Sequence, residues 1–274
     1  MRDVMSQAAE KLAVCDPLWA ALRVQAQEIA ESDSTLASLA HSTILGHQRF
    51  EQALAYRLAQ KLGTQDVTAM TIREMMSEIY ASEPDLAVAA RADLVAVYER
   101  DPACRRYIEP FLFFKGYQAL QSYRVAHSLW KSGRRDFALF LQSRVSEQFT
   151  VDIHPAARIG RGIMMDHATG VVIGETAVVE DDVSILHGVT LGGTGKEEGD
   201  RHPKIRRGVL IAAGAKVLGN IEVGECAKIA AGSVVLRAVP RCATVAGVPA
   251  RVISIAEGCQ PSREMDQAIS DDGR

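Results

Sequence analysis

Four of the seven histidines fall between Val151 and Ile205: His154, His167, His187 and His202. His167, in "MDHATG", follows Asp166 and stands fifteen residues after Asp152 of "VDIHP". A carboxylate beside an imidazole fixes the ring tautomer, and a neutral imidazole takes the proton from a weakly acidic nucleophile as it attacks. That is one chemistry open to Asp152 and His167; a hydrogen-bonded pair that only braces the chain is the other. "GDRHPK" offers Arg201 and His202, where a guanidinium either clamps a carboxylate in two-point fashion or stays solvated. Asp101, just before Pro102, is either a helix N-cap or an anion placed for an ammonium group. "GGTGK" is no Walker loop, because Thr190 stands where the first glycine of that pattern belongs and Glu197 follows Lys196 where serine or threonine is required. The amides around Gly192 and Gly193 either cradle an anion such as a thioester oxygen or simply turn the chain.

These residues need a scaffold, and the second half repeats. Counting in sixes from Ile153 gives Ile159, Met165, Val171, Ala177, Val183 and Val189; from Ile205 it gives Ile211, Val217, Val223, Ile229 and Val235. All are apolar. Three residues beyond members of these series lie Gly162, Gly174, Gly208, Gly214, Asn220 and Gly232, types that accept positive φ. One inward aliphatic and one corner per six residues is the pattern of a parallel β-helix with three sides and about eighteen residues per coil. On that spacing Asp152 and His167 belong to adjoining coils and meet near a corner. Cys226 falls on a corner and reads as structural, with a covalent nucleophile as the alternative. "TLGGTGKEEGDRHPKI" breaks the count and is too polar to bury, so it leaves the wall as an extruded loop.

The first half carries a helical period instead. In "SEPDLAVAARADLVAVYERDPA", Pro84 suits a first turn, and Leu86, Ala90, Leu94, Val97 and Tyr98 share a face. One helix is predicted through "FLFFKGYQALQSYRVAHSLWKSG", ending near Gly133, and another through "RRDFALFLQSRVSEQF". The fold class is α+β: an all-α domain over 1–149, a β-helix of hexapeptide repeats over 150–254, and a flexible tail over 255–274.

The totals exclude some partners. With 31 Lys and Arg against 34 Asp and Glu, the formal charge of −3 gives no basic excess for nucleic acid or anionic membrane. "MRDVMSQAAEKLAVCDPLWAAL" lacks the apolar core of a signal peptide, and no segment is long and apolar enough for a membrane helix. The five cysteines, odd in number and without a Cys-x-x-Cys pair, read as reduced thiols in the cytoplasm.

"DIHPAARIGRGIMMDHATGVVIGETAVVEDDVSIL", "VTLGGTGK", "GDRHPKI" and "AGVPAR", with "ERDPA" in the helical half, together resemble the serine O-acetyltransferase family. The resemblance implies a left-handed β-helix and acetyl transfer from acetyl-CoA to the L-serine hydroxyl, giving O-acetylserine for cysteine synthesis without an enzyme nucleophile. It implies His167 as general base oriented by Asp152, Asp101 and Asp166 on the substrate ammonium, Arg201 on its carboxylate, and His202 in the same pocket. For CoA it implies Gly192, Gly193, Ala213, Lys228 and Ala231. Family members form trimers through the β-helix with sites between subunits, pair into hexamers through the helical halves, and are inhibited by L-cysteine. Those that dock into O-acetylserine sulfhydrylase end in isoleucine, whereas this sequence ends "AISDDGR" at Arg274, which puts that partner in doubt. A zinc site like that of trimeric β-helix carbonic anhydrases and an inactive scaffold are the competing classes. The loop motif argues against zinc, so no metal is expected, and a scaffold leaves Asp152, His167, Arg201 and His202 unexplained.

Overall fold

A computed structural model describes residues 16–195, 198–256, 258 and 260–268. Lys196, Glu197 and Arg274 lie outside them. The first half is helical: α1 Pro17–Ser32, α2 Ser34–Ala40, a π-helical turn His41–Leu45, α3 Phe50–Leu62, α4 Ala69–Ser82, α5 Pro84–Arg100, α6 Ile108–Leu112, α7 Lys115–Lys131 and α8 Arg135–Phe149. The starts follow local chemistry. Asp16, Asp33 and Thr68 accept backbone N–H bonds at their helix N-termini, and Pro17 and Pro84 occupy first turns. Ala90, Leu94 and Val97 of α5 are buried as their spacing predicts, but Tyr98 points outward and stacks on Tyr107 with ring centroids 4.2 Å apart.

The helix expected from Phe111 to Gly133 is two. It breaks at Phe113–Phe114, and side chains replace the lost bonds: Gln118 Nε2 donates to the carbonyls of Phe111 (3.1 Å) and Leu112 (2.8 Å), the latter also taking a bond from Arg57. The break lets α7 begin hard against the solenoid. A Cβ on Gly116 would overlap the Met165 carbonyl.

After Thr150, in the left-handed region at φ 57°, the chain winds into a parallel β-solenoid. One face stacks Val151–Ile153, Val171–Ile173, Thr190–Gly192, Lys216–Leu218 and Val234–Val235; the second stacks Arg158–Ile159, Val178–Val179, Lys204–Ile205 and Glu222–Val223. The third stacks Met164–Met165, Ser184–Ile185, Leu210–Ile211, Lys228–Ile229 and Ala243–Gly247, closed by the antiparallel strand Ala250–Ile255.

Register corrects the count. Eighteen residues separate Val172 from its partner Thr190, and Lys216 from Val234, but twenty separate Val151 from Val171 and twenty-six separate Thr190 from Lys216. The larger excess is the predicted loop. The smaller lies at the corner holding Asp166–Gly170. It slides the count by two, so Val171, Ala177, Val183 and Val189 belong to one inward series and Ile173, Val179, Ile185 and Leu191 to the other. Both are buried, because alternate strand residues share a face. The same slip moves two corners, from the counted positions Glu180 and Leu186 to Asp182 and Gly188, which have positive φ as Gly162, Gly208, Gly214 and Gly232 do; Gly174 and Asn220, at the turn between the first and second faces, do not. It also places Asp152 and His167 in one coil, not in adjoining coils.

Part of the segment expected as an unpatterned tail is ordered. In the short helix α9, Pro261–Glu264, Pro261 and Ser262 are buried, and Ser184 Oγ donates to the Ser262 carbonyl at 2.7 Å.

A buried carboxylate stands at the joint between the halves. Asp93 of α5, fully buried, accepts from Gln121 Nε2 (2.9 Å), from Arg124 Nε (2.9 Å) and Nη2 (2.7 Å) on α7, and from the backbone N–H of Ile163 in the first coil (2.9 Å). Arg124 reaches on to the carbonyls of Ile159 (3.3 Å) and Gly160 (2.6 Å). Removing one member strands a buried charge, so Asp93→Ala is expected to cost about 3–5 kcal/mol in urea unfolding. A loss below about 1 kcal/mol, the scale of a surface pair, would mean that apolar packing carries the joint.

Candidate active site

The extra residues that break the count present His167. His167 and Ala168 both lie at positive φ, 53° and 58°, so this corner bulges and turns the imidazole outward with its side chain 74% exposed. Behind it is a cavity of about 280 Å³ between α5, the start of α7 and the first coil. Its lining includes Asp101, Phe113, Lys115, Tyr117, Asp166 and His167.

Asp101 is not an N-cap. It ends α5, its Oδ1 accepting the Ala103 N–H at 2.8 Å, and so hangs its carboxylate beside Asp166. Burial, reinforced by Asp101, holds the Asp166 carboxyl above the usual carboxylate range, while His167 and His187 pull it the other way. Asp166 Oδ2 and His167 Nε2 are 3.7 Å apart, beyond a hydrogen bond. An acidic cavity under an imidazole suits a cation with a reactive group two or three bonds away.

Asp152 does not meet His167 within the chain. It accepts from Gln142 Nε2 at 2.7 Å and stands mid-strand on the first face, opposite Val172, whereas Arg201 and His202 lie at the corner beyond that face. There Arg201 Nη2 pairs with Glu175 (2.8 Å), and the N–H groups of Arg201 (3.0 Å) and His202 (3.1 Å) donate to Thr176 Oγ1. His202 Nδ1 accepts the Thr176 N–H at 3.2 Å and contacts its hydroxyl at 2.8 Å, fixing the tautomer with the proton on Nε2. Burial, then Arg201, pushes the His202 imidazole below its ordinary value, and burial does the same to His154. Asp101, Asp166 and His167 thus gather at one edge of the first face and Arg201 and His202 at the other, with Asp152 on the strand between.

Gly192 and Gly193 close the first-face strand without positive φ; Gly195 (90°) and Gly199 (75°) turn the loop instead. Ala213 and Ala231 share a column with His187 and Thr169 along the His167 edge. The Gly188 N–H donates to Thr169 (2.8 Å), Gly214 to His187 (2.9 Å) and Gly232 to Ala213 (2.8 Å). That column leads away from His167, ending in the two alanines. Lys228 is elsewhere, on the third face, its Nζ bonded to the Ala268 carbonyl at 2.6 Å. Among the described residues no group of three or more His, Cys, Asp or Glu could hold a metal ion.

Sequence reading missed two participants. The His187 ring stands 5.8 Å from that of His167, and Lys115 Nζ donates to Thr169 (2.5 Å) and Thr150 (3.2 Å), bracing the same corner. The twenty-residue spacing of His167 and His187, equal to the first coil, was the available signal.

A helical half on a coil of six-residue strands, with an imidazole over an acidic cavity at one edge, defines a hexapeptide-repeat acyltransferase. Family models agree, "Bacterial transferase hexapeptide (six repeats)" matching residues 202–237 and "Serine acetyltransferase, N-terminal" matching 18–122. The serine acetyltransferase of Salmonella typhimurium is 56% identical over 250 residues, 91% of this chain and 92% of that protein. A solved serine acetyltransferase in complex with cysteine is 55% identical with a TM-score of 0.91, covering 92% of this chain and 98% of the other. The Brucella abortus enzyme in complex with coenzyme A is 55% identical with a TM-score of 0.87, covering 88% and 97%. The chain belongs to the serine acetyltransferase family.

Gly174 tests the edge of Arg201 and His202, because a Cβ there would overlap the His202 ring. Gly174→Ala should cost about 1–3 kcal/mol, the range for an overpacked site. By NMR the His202 titration, low in the wild type, should move up toward the ordinary imidazole value as the ring is forced into water.

Proposed function

We propose that this chain is a serine O-acetyltransferase that converts L-serine and acetyl-CoA to O-acetyl-L-serine and CoA, supplying cysteine synthesis. The observation that carries the reading is the acidic cavity of Asp101 and Asp166 directly behind His167, in a chain so close to known family members. Asp101 and Asp166 hold the substrate ammonium, which leaves the hydroxyl near the imidazole. His167 takes the hydroxyl proton as the oxygen attacks the thioester carbonyl. The tetrahedral intermediate then expels the CoA thiolate, and the proton passes from His167 to the departing sulfur.

Two features support completion of the site between subunits. The exposed His167 gains a water-poor setting only when covered, and Arg201 and His202 sit on the other edge of the same face, with Asp152 on the strand between. In a trimer packed edge to edge, Asp152 of a neighbouring copy orients His167, and Arg201 and His202 receive the serine carboxylate. The helical halves then pair trimers into a hexamer. CoA lies along the column of Ala213 and Ala231, with Gly192, Gly193 and Lys228 at its borders. L-Cysteine carries the same ammonium and carboxylate as serine, so it competes for the same holders; the relative solved with cysteine supports this feedback. Acetyl-CoA as donor supports a cytoplasmic setting.

The test follows free CoA with a thiol reagent, with and without L-serine. Serine-dependent release should fall about 10²–10⁴-fold in His167→Ala; absence of serine-dependent release from the wild type would overturn the reading. A second expectation concerns pH. Because the Asp166 carboxyl is held above the usual range, it protonates early on acidification, so kcat/KM for serine should fall on the acid side before an ordinary carboxylate would titrate. In Asp166→Asn the part of the acid-side loss that belongs to this carboxyl should disappear, leaving only the loss from protonating the imidazole base, and KM for serine should be high throughout. An unchanged limb would assign it to another group.

A further inference from the structure

The corners between the second and third faces form a column: Gly162, Asp182, Gly208, Cys226 and Cys242, all at positive φ. Glycine occupies such positions without strain, whereas a side chain there is costly and points to a local purpose. Two successive coils place cysteine in this column. Their register is fixed on both sides of the corner, by Val223 opposite Val239 before it and Lys228 opposite Thr244 after it. The two turns are also built alike. Ala227 N–H donates to Gly224 (3.2 Å) and Ala243 N–H to Pro240 (3.3 Å); Cys226 N–H donates to Arg207 (2.9 Å) and Cys242 N–H to Glu225 (2.8 Å). With φ of 54° and 55°, the two Cα–Cβ bonds run side by side from adjacent coils.

Adjacent strands of a sheet stand about 4.8 Å apart, inside the roughly 4.4–6.8 Å span of Cα atoms across a disulfide. We propose that Cys226 and Cys242 form a thiol–disulfide redox site, closed by small-molecule disulfides and reopened by small-molecule thiols. Both residues are partly exposed, and Cys226 opens on a cavity of about 350 Å³ beside Arg207 and Arg263. Its sulfur now lies over Gly208, and rotation about χ1 between staggered wells turns it to Cys242.

In the first step one cysteine thiolate attacks a reagent sulfur, expelling one reagent thiolate and leaving a mixed disulfide. The second cysteine thiolate then attacks the protein sulfur of that bond and expels the other reagent thiolate. The two cysteine protons end on the two reagent thiols; the protein sulfurs are oxidised and the reagent disulfide is reduced. Burial and the neighbouring Cys242 push the Cys226 thiol up, so closure should quicken as pH rises. Side-by-side Cβ atoms must draw together to close the bond, which makes it easily reduced.

The test treats the full chain with oxidised glutathione at several pH values, blocks remaining thiols and maps the peptides by mass spectrometry. The expected product is a Cys226–Cys242 cross-link within one chain, reversed by dithiothreitol, faster at alkaline pH, and absent from Cys226→Ser and Cys242→Ser. Stable glutathione adducts on both residues, a cross-link to a different cysteine or between chains, or no product while both thiols alkylate readily would each overturn the proposal. The wild-type map alone decides, so a misfolded variant does not obscure it.

Discussion

The buried Asp93 carboxylate holds the two halves in one geometry. Four hydrogen bonds converge on it, two of them from the Arg124 guanidinium, and they come from α7 and from the backbone of the first coil. A charge so far from water tolerates little displacement, because each lost donor leaves uncompensated charge in a poorly polarisable interior. Asp101 lies at the end of the helix that carries Asp93, and Asp166 ends the first coil. The depth and acidity of the cavity behind His167 therefore depend on a joint that never touches it.

A second restraint works nearer the cavity. Arg100, almost fully buried at the end of α5, donates to Ser184 Oγ (3.1 Å) and pairs with Asp182 (3.4 Å) on the second coil. Asp182 also faces Arg207 and Arg263, so one corner carboxylate ties α5, the solenoid wall and α9 together. The helical half is in this sense the back wall of a pocket whose front is solenoid.

The solenoid was legible because each strand buries two alternate residues, and even a slipped count landed on one of them. Corners were less legible, since the slip displaced the expected positions from Asp182 and Gly188 to Glu180 and Leu186. The extruded loop announced itself by polarity, and His167, Asp166 and Asp101 announced themselves by type and motif. What spacing did not carry was the division of the site. Asp152 and His167 share a coil, yet one stands on a strand of the first face and the other at the bulged corner that ends the coil. The Phe113–Phe114 break was hidden as well, because one of its donors, Arg57, acts from another helix and the other, Gln118, gives no sign in its spacing that it bonds backward.

Both lengthenings of the eighteen-residue coil fall at corners, where the chain bulges without disturbing the ladders above and below. A strand has no such freedom: deleting one residue from Val171–Ile173 would turn every later inward aliphatic toward water until the next corner absorbed the error. The architecture therefore tolerates length changes at its edges and few in its walls. New chemistry can be added one corner at a time while the stacked faces keep their register.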